Sequence, residues 1–402
     1  MKNKSADGLR GLAALSVTLT HFIAAFLPWL LFHNYGELFP RHEGGGTAAE
    51  FFGSPLMTLF YNGHFAVLIF FVLSGYVLTL PYFSRTNAVD ALQRRLWARY
   101  LRLNLPIIAA IGLAYLAYRF GLMHNDAAAL LSGSVKWLGS FYPPGLNGVG
   151  AIHEATFGAI VLGSASFLPP LWTLKVEFIG SLYILLFYLA KPTGRIWTPM
   201  LLASALLYAI HGADSIYYYA IFAGSALHCL SVKGKTAYVL LAVGLYLGAY
   251  QHFRVMYGFL PNPMVWDIKT TYNLIGAICL CAAVLSGTGR DILASRPVQF
   301  LGRISFSIYL LHFIVLCSLS SWLYVRLPRD ASFIAVQLLV YVGACIGAAC
   351  IFERYIDRPA INLSRRFTAF ISSDIVHRVP EPDKTTVDDL TTGKRHNTPA
   401  GK

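Results

Sequence analysis

The chain has 402 residues, of which 56% are hydrophobic and 13% are charged, and its mean hydropathy is +0.56. Apolar runs long enough to span a bilayer recur from residue 8 to residue 354, so the composition excludes an ordinary soluble domain and predicts an all-α, polytopic membrane protein. The formal net charge is +13, but the basic residues lie in short loops between apolar runs, where they set membrane topology. We therefore expect no nucleic-acid partner.

About ten apolar segments are predicted to be transmembrane helices. An even number of spans places both termini on one side of the membrane, and the side richer in Lys and Arg is the cytoplasmic one. Most of these residues lie on the side of the termini, so both termini are predicted to be cytoplasmic. On the opposite side the basic residues are few: Arg41, Arg119, Lys136, Arg254, Lys269, Arg326 and Arg329. The predicted spans are residues 8–31, 56–82, 101–120, 169–190, 197–211, 215–231, 235–251, 269–288, 303–326 and 332–354.

The first predicted span contains two ionisable residues, Arg10 and His21. Along a helix their α-carbons lie about 16 Å apart, whereas the hydrocarbon core of a bilayer is about 30 Å thick. If Arg10 marks the membrane surface, His21 lies near the middle of the bilayer. An ionisable group at that depth indicates a functional site. The competing interpretation is a histidine that bonds a neighbouring helix for structure alone.

Two further ionisable residues are predicted at the same depth. Glu177 lies eight residues into the fourth span, about 12 Å from its outer end, and His312 lies in the ninth span, which starts near Arg303. A carboxylate in a membrane needs a partner, so Glu177 either serves a functional site or pairs with Lys175 or another cation for structure. Three ionisable groups at one depth suggest a shared polar cavity. His64, nearer the outer end of the second span, is interpreted as structural.

Four arginines lie between the second and third spans: Arg94, Arg95, Arg99 and Arg102. The last three share one helical face by their spacing. One interpretation is an anchor that contacts anionic membrane lipid. The other is a cradle for a phosphorylated cytosolic ligand, because guanidinium groups bind phosphate bidentately.

Other features bear on the organisation of the chain. The apolar stretch at 157–168 is too short to span a bilayer and is predicted to be re-entrant or to lie against the bundle. Ser74 beside Gly75 in the second span predicts close helix packing. A membrane domain of residues 1–366 is followed by residues 367–402, a polar segment predicted to be a disordered cytoplasmic tail. The six cysteines have no zinc-ligand spacing, so no metal is implied. We expect the first span to stay in the membrane and not to be cleaved as a signal peptide.

Several of these motifs, in this order, resemble the acyltransferase family 3 membrane proteins over most of residues 6–366. The opening Asp7-Gly-Leu-Arg-Gly-Leu-Ala-Ala-Leu with His21 is similar to the family's arginine–ten–histidine motif. The other matching segments are Phe70-Phe-Val-Leu-Ser-Gly-Tyr in the second span, Arg99-Tyr-Leu-Arg102 (R-x-x-R), Leu171-Trp-Thr-Leu-Lys-Val-Glu-Phe (L-W-S-L-x-V-E-x), Leu301-Gly-Arg-Ile-Ser-Phe-Ser-Ile-Tyr-Leu-Leu-His and Asp357-Arg-Pro (E-[KR]-P).

Three residues depart from the family pattern. Phe178 stands where a second acidic residue often follows the glutamate, Lys175 replaces a small residue, and Asp357 replaces the commoner glutamate. These departures bear on which acceptor the protein would use more than on which reaction it would catalyse.

The resemblance implies an integral plasma (inner) membrane O-acyltransferase of the stand-alone form, without an SGNH-type esterase domain. Its reaction would move an acyl group, usually acetyl, from cytosolic acyl-CoA to a hydroxyl of an envelope or exported carbohydrate, such as O-antigen or exopolysaccharide, or of a glycolipid. For that reaction we expect His21 to be the general base, Glu177 to orient His21 or stabilise its imidazolium, and His312 to handle protons or contact the acceptor. Direct transfer and a covalent acyl-enzyme relay through a histidine or Ser74 both stay open on the sequence. The residues expected to bind acyl-CoA are Arg10, Arg94, Arg95, Arg99 and Arg102.

Two other classes stay open on sequence alone. A transporter or flippase for a glycan or lipid-linked sugar also has ionisable residues at the membrane midplane, although the chain shows no internal repeat. A membrane glycosyltransferase that uses a polyprenyl-phosphate sugar would have an acidic pair in its first external loop. The acids of that loop, Glu37, Glu43 and Glu50, have scattered spacing.

Overall fold

A computed structural model of the protein describes residues 3–39, 47–84, 88–189, 197–252, 254–263 and 265–378. Every regular element within these ranges is helical, which confirms the prediction of an all-α protein. By length and apolar composition, eight helical segments of the described chain can cross a membrane. The protein is therefore a polytopic membrane protein.

The α-helices are numbered in chain order over the described ranges. They are α1 (Lys4–Phe26), α2 (Phe32–Tyr35), α3 (Thr47–Phe52), α4 (Pro55–Thr58), α5 (Gly63–Ser84), α6 (Ala88–Arg119), α7 (Asn125–Ser132), α8 (Gly148–His153), α9 (Trp172–Leu189), α10 (Trp197–His211), α11 (Ser215–Ala226), α12 (Lys235–Gly248), α13 (Ile268–Leu285), α14 (Arg290–Leu293), α15 (Arg296–Val315), α16 (Ser321–Arg326), α17 (Ala331–Phe352) and α18 (Arg358–Arg378). Turns of π-helix follow α8, α15 and α17, at Glu154–Leu162, Leu316–Ser320 and Glu353–Asp357.

The apolar segment Met200–Cys229 is a helical hairpin. Gly212 adopts a left-handed conformation with φ of +55°, which ends α10. Tyr219 of α11 donates a hydrogen bond to the carbonyl oxygen of Ser204 in α10 at 2.7 Å, whereas 15 residues of continuous helix would hold them about 22 Å apart. Counted separately, the two arms of the hairpin make nine segments in the described chain. The two shorter apolar helices are Gly148–Leu162 and Lys235–Gly248, of which the second coincides with a predicted span and would make the tenth.

A close helix crossing that positions the site joins α1 to α15. A Cβ atom on Gly11 would lie 2.5 Å from the backbone nitrogen of Gly302, so only glycine permits this approach of the two backbones. Beyond the crossing, Ala14 packs in one cluster with Ile304 and Ile308. The two helices therefore run side by side in the same direction, and residues equally far from the crossing lie at the same height.

The predicted close packing of the second span is confirmed. A Cβ atom on Gly75 of α5 would lie 1.8 Å from the carbonyl oxygen of Ile221 in α11, and one on Gly224 would lie 1.9 Å from the carbonyl oxygen of Val72. The small residues thus serve the contact between α5 and α11.

The short apolar stretch before the fourth span lies against the bundle, which is one of its two predicted placements. The π-helix Glu154–Leu162 packs on α6 and α9. Glu154 is only 3% exposed, and its carboxylate accepts hydrogen bonds from the backbone N–H groups of Ser166 and Phe167 at 2.9 and 3.0 Å. This carboxylate therefore fixes the turn that leads into α9.

The last helix extends past the predicted start of the tail. α18 ends at Arg378, so the first twelve residues of the segment 367–402 are helical. Residues 379–402 lie outside the described residues, and disorder there stays a prediction.

Candidate active site

His21 of α1 and His312 of α15 meet at the same height in the bundle. Each lies ten residues beyond its glycine at the helix crossing, Gly11 or Gly302. Because the helices run in parallel, this equal spacing brings the imidazoles together. Nδ1 of His21 lies 2.8 Å from Nε2 of His312, and the rings stack with centroids 4.9 Å apart. His312 is fully buried, whereas His21 is partly exposed.

The hydrogen bonds of His312 determine which nitrogens carry protons when both rings are neutral. Nδ1 of His312 lies 3.0 Å from the carbonyl oxygen of Ile308, which can only accept, so Nδ1 carries the proton and Nε2 has the lone pair. Nε2 therefore accepts a hydrogen bond from Nδ1–H of His21. The other nitrogen of His21, Nε2, keeps a lone pair, and no described residue hydrogen-bonds to it. That nitrogen can take a proton from a bound hydroxyl.

Aromatic side chains surround His21. Trp137 stacks on its imidazole with centroids 5.6 Å apart and an interplanar angle of 13°, and Phe313 makes an edge contact at 5.6 Å. Phe39 lies 6.2 Å from Trp137, and Tyr35 lies 6.3 Å from Phe39. These rings form an aromatic strip that leads from His21 past the end of α1. Phe39 is only 4% exposed and supports the partly exposed rings of Tyr35 and Trp137 from behind. Aromatic faces commonly line sites for ring-shaped ligands.

A second polar group lies nearer the start of α1. Nη2 of Arg99 in α6 lies 2.6 Å from Oε1 of Glu177 in α9 and 2.7 Å from Oγ of Ser74 in α5, and Ser74 donates to Glu177 at 3.2 Å. The ion pair is mostly shielded from water, since the side chains of Arg99 and Glu177 are 14% and 27% exposed. Nε of Arg99 is buried and has no hydrogen-bond partner within the described part of the chain.

Two more arginines and two more acids adjoin this ion pair. Nη1 of Arg10 lies 3.7 Å from Oδ1 of Asp7. Arg10 interacts electrostatically with Glu177 and Arg102, and Asp357 interacts with Arg102. Arg102 is exposed, so its guanidinium is open to a ligand. We refer to Arg10, Arg99 and Arg102 as the arginine cluster, and to this end of the bundle as the arginine end. Three carboxylates balance the three arginines, so what favours a phosphorylated ligand here is the guanidinium groups themselves, which bind phosphate bidentately.

A hydrogen bond between α9 and α15 connects the arginine cluster with the histidine pair. Thr173 lies one helical turn before Glu177, and its hydroxyl is 2.6 Å from that of Tyr309, which lies three residues before the histidine of α15. Along α1, Arg10 and His21 are about 16 Å apart. A ligand of that length can therefore contact both groups at once.

The predicted site residues form two groups instead of one. His21 pairs with His312, while Glu177 pairs with Arg99 and makes no described hydrogen bond to His21. The expectation that Glu177 orients His21 is therefore not met, because the group bonded to Nδ1 of His21 is His312. Among the cations offered for Glu177, the ion-pair partner is Arg99 and not Lys175.

Other parts of the site were missed or cannot be described. Trp137 carried no sequence signal, since it lies in a connecting segment that no periodicity marks. The equal spacing from Gly11 to His21 and from Gly302 to His312 is a signal that could have paired the histidines. The side chains of Arg94 and Arg95 lie outside those that the structure describes, although α6 includes both residues.

A family model described as an acyltransferase domain matches residues 3–353. The chain belongs to acyltransferase family 3. Acyltransferase R4 of Phoma sp. is 23% identical over 443 residues, which cover 88% of this chain and 93% of the relative. Acyltransferase clz18 of Cochliobolus lunatus is 23% identical over 392 residues, which cover 77% of this chain and 81% of the relative. No solved structure matches the chain significantly. The protein is therefore an acyltransferase, with an acyl donor and an acceptor as its substrates.

Proposed function

We propose that this protein transfers an acyl group, acetyl being the first candidate, from cytosolic acyl-CoA to a hydroxyl of an envelope or exported carbohydrate. The observation that carries the proposal is the lone pair on Nε2 of His21, held by the hydrogen bonds to His312 and Ile308. A carbohydrate hydroxyl is a weak nucleophile at neutral pH, and a positioned general base overcomes this weakness.

The proposed step is direct acyl transfer. The acceptor oxygen attacks the thioester carbonyl while Nε2 of His21 takes the hydroxyl proton. A C–O bond forms, the C–S bond breaks, and the imidazolium returns the proton to the departing thiolate. His312 supports the developing charge because its Nε2 accepts the Nδ1–H of His21, which is the orienting role that a third group has in other base-catalysed transfers.

The arginine cluster supports acyl-CoA as the donor. CoA carries a pyrophosphate and a 3′-phosphate, and guanidinium groups bind such groups bidentately. Arg102 is exposed, and the buried Nε of Arg99 is a donor without a described partner, as expected of a group that a ligand completes. In this proposal the arginine end faces the cytoplasm of a plasma (inner) membrane and both termini lie there, consistent with the distribution of basic residues. The roles of Arg94 and Arg95 in donor binding stay predictions.

The aromatic strip supports a carbohydrate or glycolipid acceptor. Tyr35, Phe39 and Trp137 lead to His21 from beyond the end of α1, away from the arginine cluster. An acceptor that follows this strip reaches His21 from the side opposite to the donor. Donor and acceptor thus have separate paths to one base.

The test is acetyl-CoA turnover by purified protein in nanodiscs, followed as release of free thiol with and without an envelope-glycan fraction. Wild-type protein should show glycan-stimulated release, and His21→Ala should lower kcat at least about a hundredfold, the usual contribution of general-base catalysis. His153→Ala is the matched control, since His153 is an exposed histidine of α8 far in sequence from both histidines of the pair.

Full activity of a folded His21→Ala variant would exclude His21 as the base. No thiol release from folded wild-type protein, across acyl-CoAs of several chain lengths and several glycan fractions, would contradict the proposed donor. Transport of glycan into sealed vesicles without thiol release would then favour the transporter class.

A further inference from the structure

A cavity of about 240 Å³ opens at the arginine end, between α5, the end of α11 and α13. Its lining residues are Tyr76, Leu227, His228, Leu230, Ser231, Val232, Ala282, Leu285 and Ser286. Leu230, Ser231 and Ser286 are exposed, so the cavity can be entered from the water at this end of the bundle. Sites that hold a whole drug-sized ligand usually measure about 300–1,000 Å³. The cavity is therefore the size of one ring system of a larger ligand.

The lining has five aliphatic residues, two aromatic rings and two serines, and no charged side chain. His228 lies between two rings, with its centroid 4.1 Å from Tyr76 and 4.7 Å from Phe83. Its Nε2 lies 2.8 Å from the carbonyl oxygen of Tyr76, so Nε2 carries the proton and Nδ1 of the neutral ring is an acceptor. The hydroxyls of Ser231 and Ser286 add both donors and acceptors. A flat heterocycle with an exocyclic amino group matches this lining, whereas a phosphate does not.

The cavity lies at the same end of the bundle as the arginine cluster, on the other side of α5 from Arg99. Tyr76 lies two residues after Ser74, whose hydroxyl is bonded to Arg99, and side chains two residues apart point to opposite sides of a helix. On the other wall, Ala282 follows Cys281, which lies within electrostatic range of Arg10. Arg10 is therefore the member of the cluster that lies on the cavity's side of α5.

The cavity, the arginine cluster and the histidine pair follow one another along the bundle. In α5, Tyr76 lies 13 residues beyond Gly63, about 20 Å along the helix axis. A Cβ on Gly63 would lie 2.9 Å from Oγ1 of Thr20, so this end of α5 touches the neighbour of His21. The order along the axis is the cavity, then the arginine cluster, then the histidine pair. The parts of an acyl-CoA follow the same order: purine, phosphates and thioester.

We propose that this cavity binds the purine ring of the acyl donor, and that it thereby sets a preference for a nucleotide-linked thioester over a simple thioester. The inference rests on the proposed function, because it assigns one part of the donor to a place in the structure. It adds to the donor site a part that recognises the purine and contains none of the arginines.

The experiment compares three donors in the same turnover assay. Acetyl-CoA has the purine, the pyrophosphate and the 3′-phosphate, acetyl-dephospho-CoA lacks only the 3′-phosphate, and acetyl-pantetheine lacks the purine and every phosphate; the cavity variants then separate the purine from the pyrophosphate. Ser286→Trp and Ser231→Trp place an indole in the mouth of the cavity from two sides. Ile292→Trp is the matched control, since Ile292 is 70% exposed on α14 and does not line the cavity.

Both cavity variants should raise the KM for acetyl-CoA and for acetyl-dephospho-CoA by about fivefold to a hundredfold, the range expected when the purine loses one or two hydrogen bonds to the cavity. The KM for acetyl-pantetheine and the kcat should stay at their wild-type values, and Ile292→Trp should change none of them. Either variant alone suffices if the other fails to fold.

Two results would overturn the inference while the proposed function stands. One is a wild-type enzyme that uses all three donors with the same KM. The other is a folded cavity variant whose KM values for all three donors are unchanged or rise together. Turnover of no donor by folded wild-type protein would instead overturn the proposed function and the inference with it.

Discussion

The crossing of α1 and α15 predicts how one methyl group would separate His21 from His312. In Gly302→Ala the new Cβ would lie 2.3 Å from the carbonyl oxygen of Asp7, whereas non-bonded heavy atoms need about 3.3 Å or more. Relief of the overlap requires the helices to move apart by about 1 Å. Since they run side by side up to the histidines, the 2.8 Å contact between His21 and His312 should lengthen to nearly 4 Å, beyond hydrogen-bonding distance.

Two magnitudes follow from that movement. The overpacked crossing should lower the free energy of unfolding by about 1–3 kcal/mol. A base displaced by about 1 Å should lower kcat by about a hundredfold. The assays are thiol release from acetyl-CoA at saturating donor, and thermal unfolding in the same nanodiscs.

The matched control is Gly343→Ala in α17. A Cβ at Gly343 would meet no atom within 4 Å, so this variant adds the same methyl group to a membrane helix without an overlap. Its kcat should be that of the wild type. A folded Gly302→Ala variant with wild-type kcat would refute the argument that this crossing sets the distance between the two imidazoles.

The remaining predictions concern single side chains. Arg99→Gln should lower the free energy of unfolding by about 1–3 kcal/mol, because it removes the cation that is hydrogen-bonded to the half-buried Glu177, and the double variant with Glu177→Gln should recover part of that loss. Arg102→Ala should leave stability within about 0.5 kcal/mol but raise the KM for acetyl-CoA, since Arg102 is exposed; equal stability losses for Arg99→Gln and Arg102→Ala would contradict this division. Burial raises the pKa of Tyr142 well above its ordinary value, and its neutral hydroxyl donates a hydrogen bond to the carbonyl oxygen of Phe167 at 2.7 Å. The neutral hydroxyl stabilises the fold below pH about 10, and this contribution to stability is lost as the pH rises further. Tyr142→Phe should cost about 1 kcal/mol at pH 8 and reduce the loss of stability on raising the pH to about 10.5, and a pH dependence parallel to that of the wild type would exclude this role.

The sequence predicted the helices well because long apolar runs have few alternatives in a membrane. It also predicted His21 and His312 at one depth, since depth follows from residue counts along a helix. It did not predict the partner of Glu177, because that partner lies on a helix 78 residues away and only the packing of α5, α6 and α9 brings Arg99 to it. Trp137 could not be found either, since its position depends on the path of a connecting segment and not on any helical period.

The helical hairpin has a consequence for the surrounding lipid. α10, α11 and α12 contain 15, 12 and 14 residues, so they are about 22, 18 and 21 Å long, shorter than a hydrocarbon core of about 30 Å. Leu201, Leu202 and Leu206 of α10 are more than half exposed, so this flank has an apolar surface for acyl chains. A bilayer matches short spans by thinning around them. We therefore expect the bilayer to be thinner beside this flank of the enzyme, so that a lipid-anchored molecule there has its polar part closer to the midplane before it touches the protein.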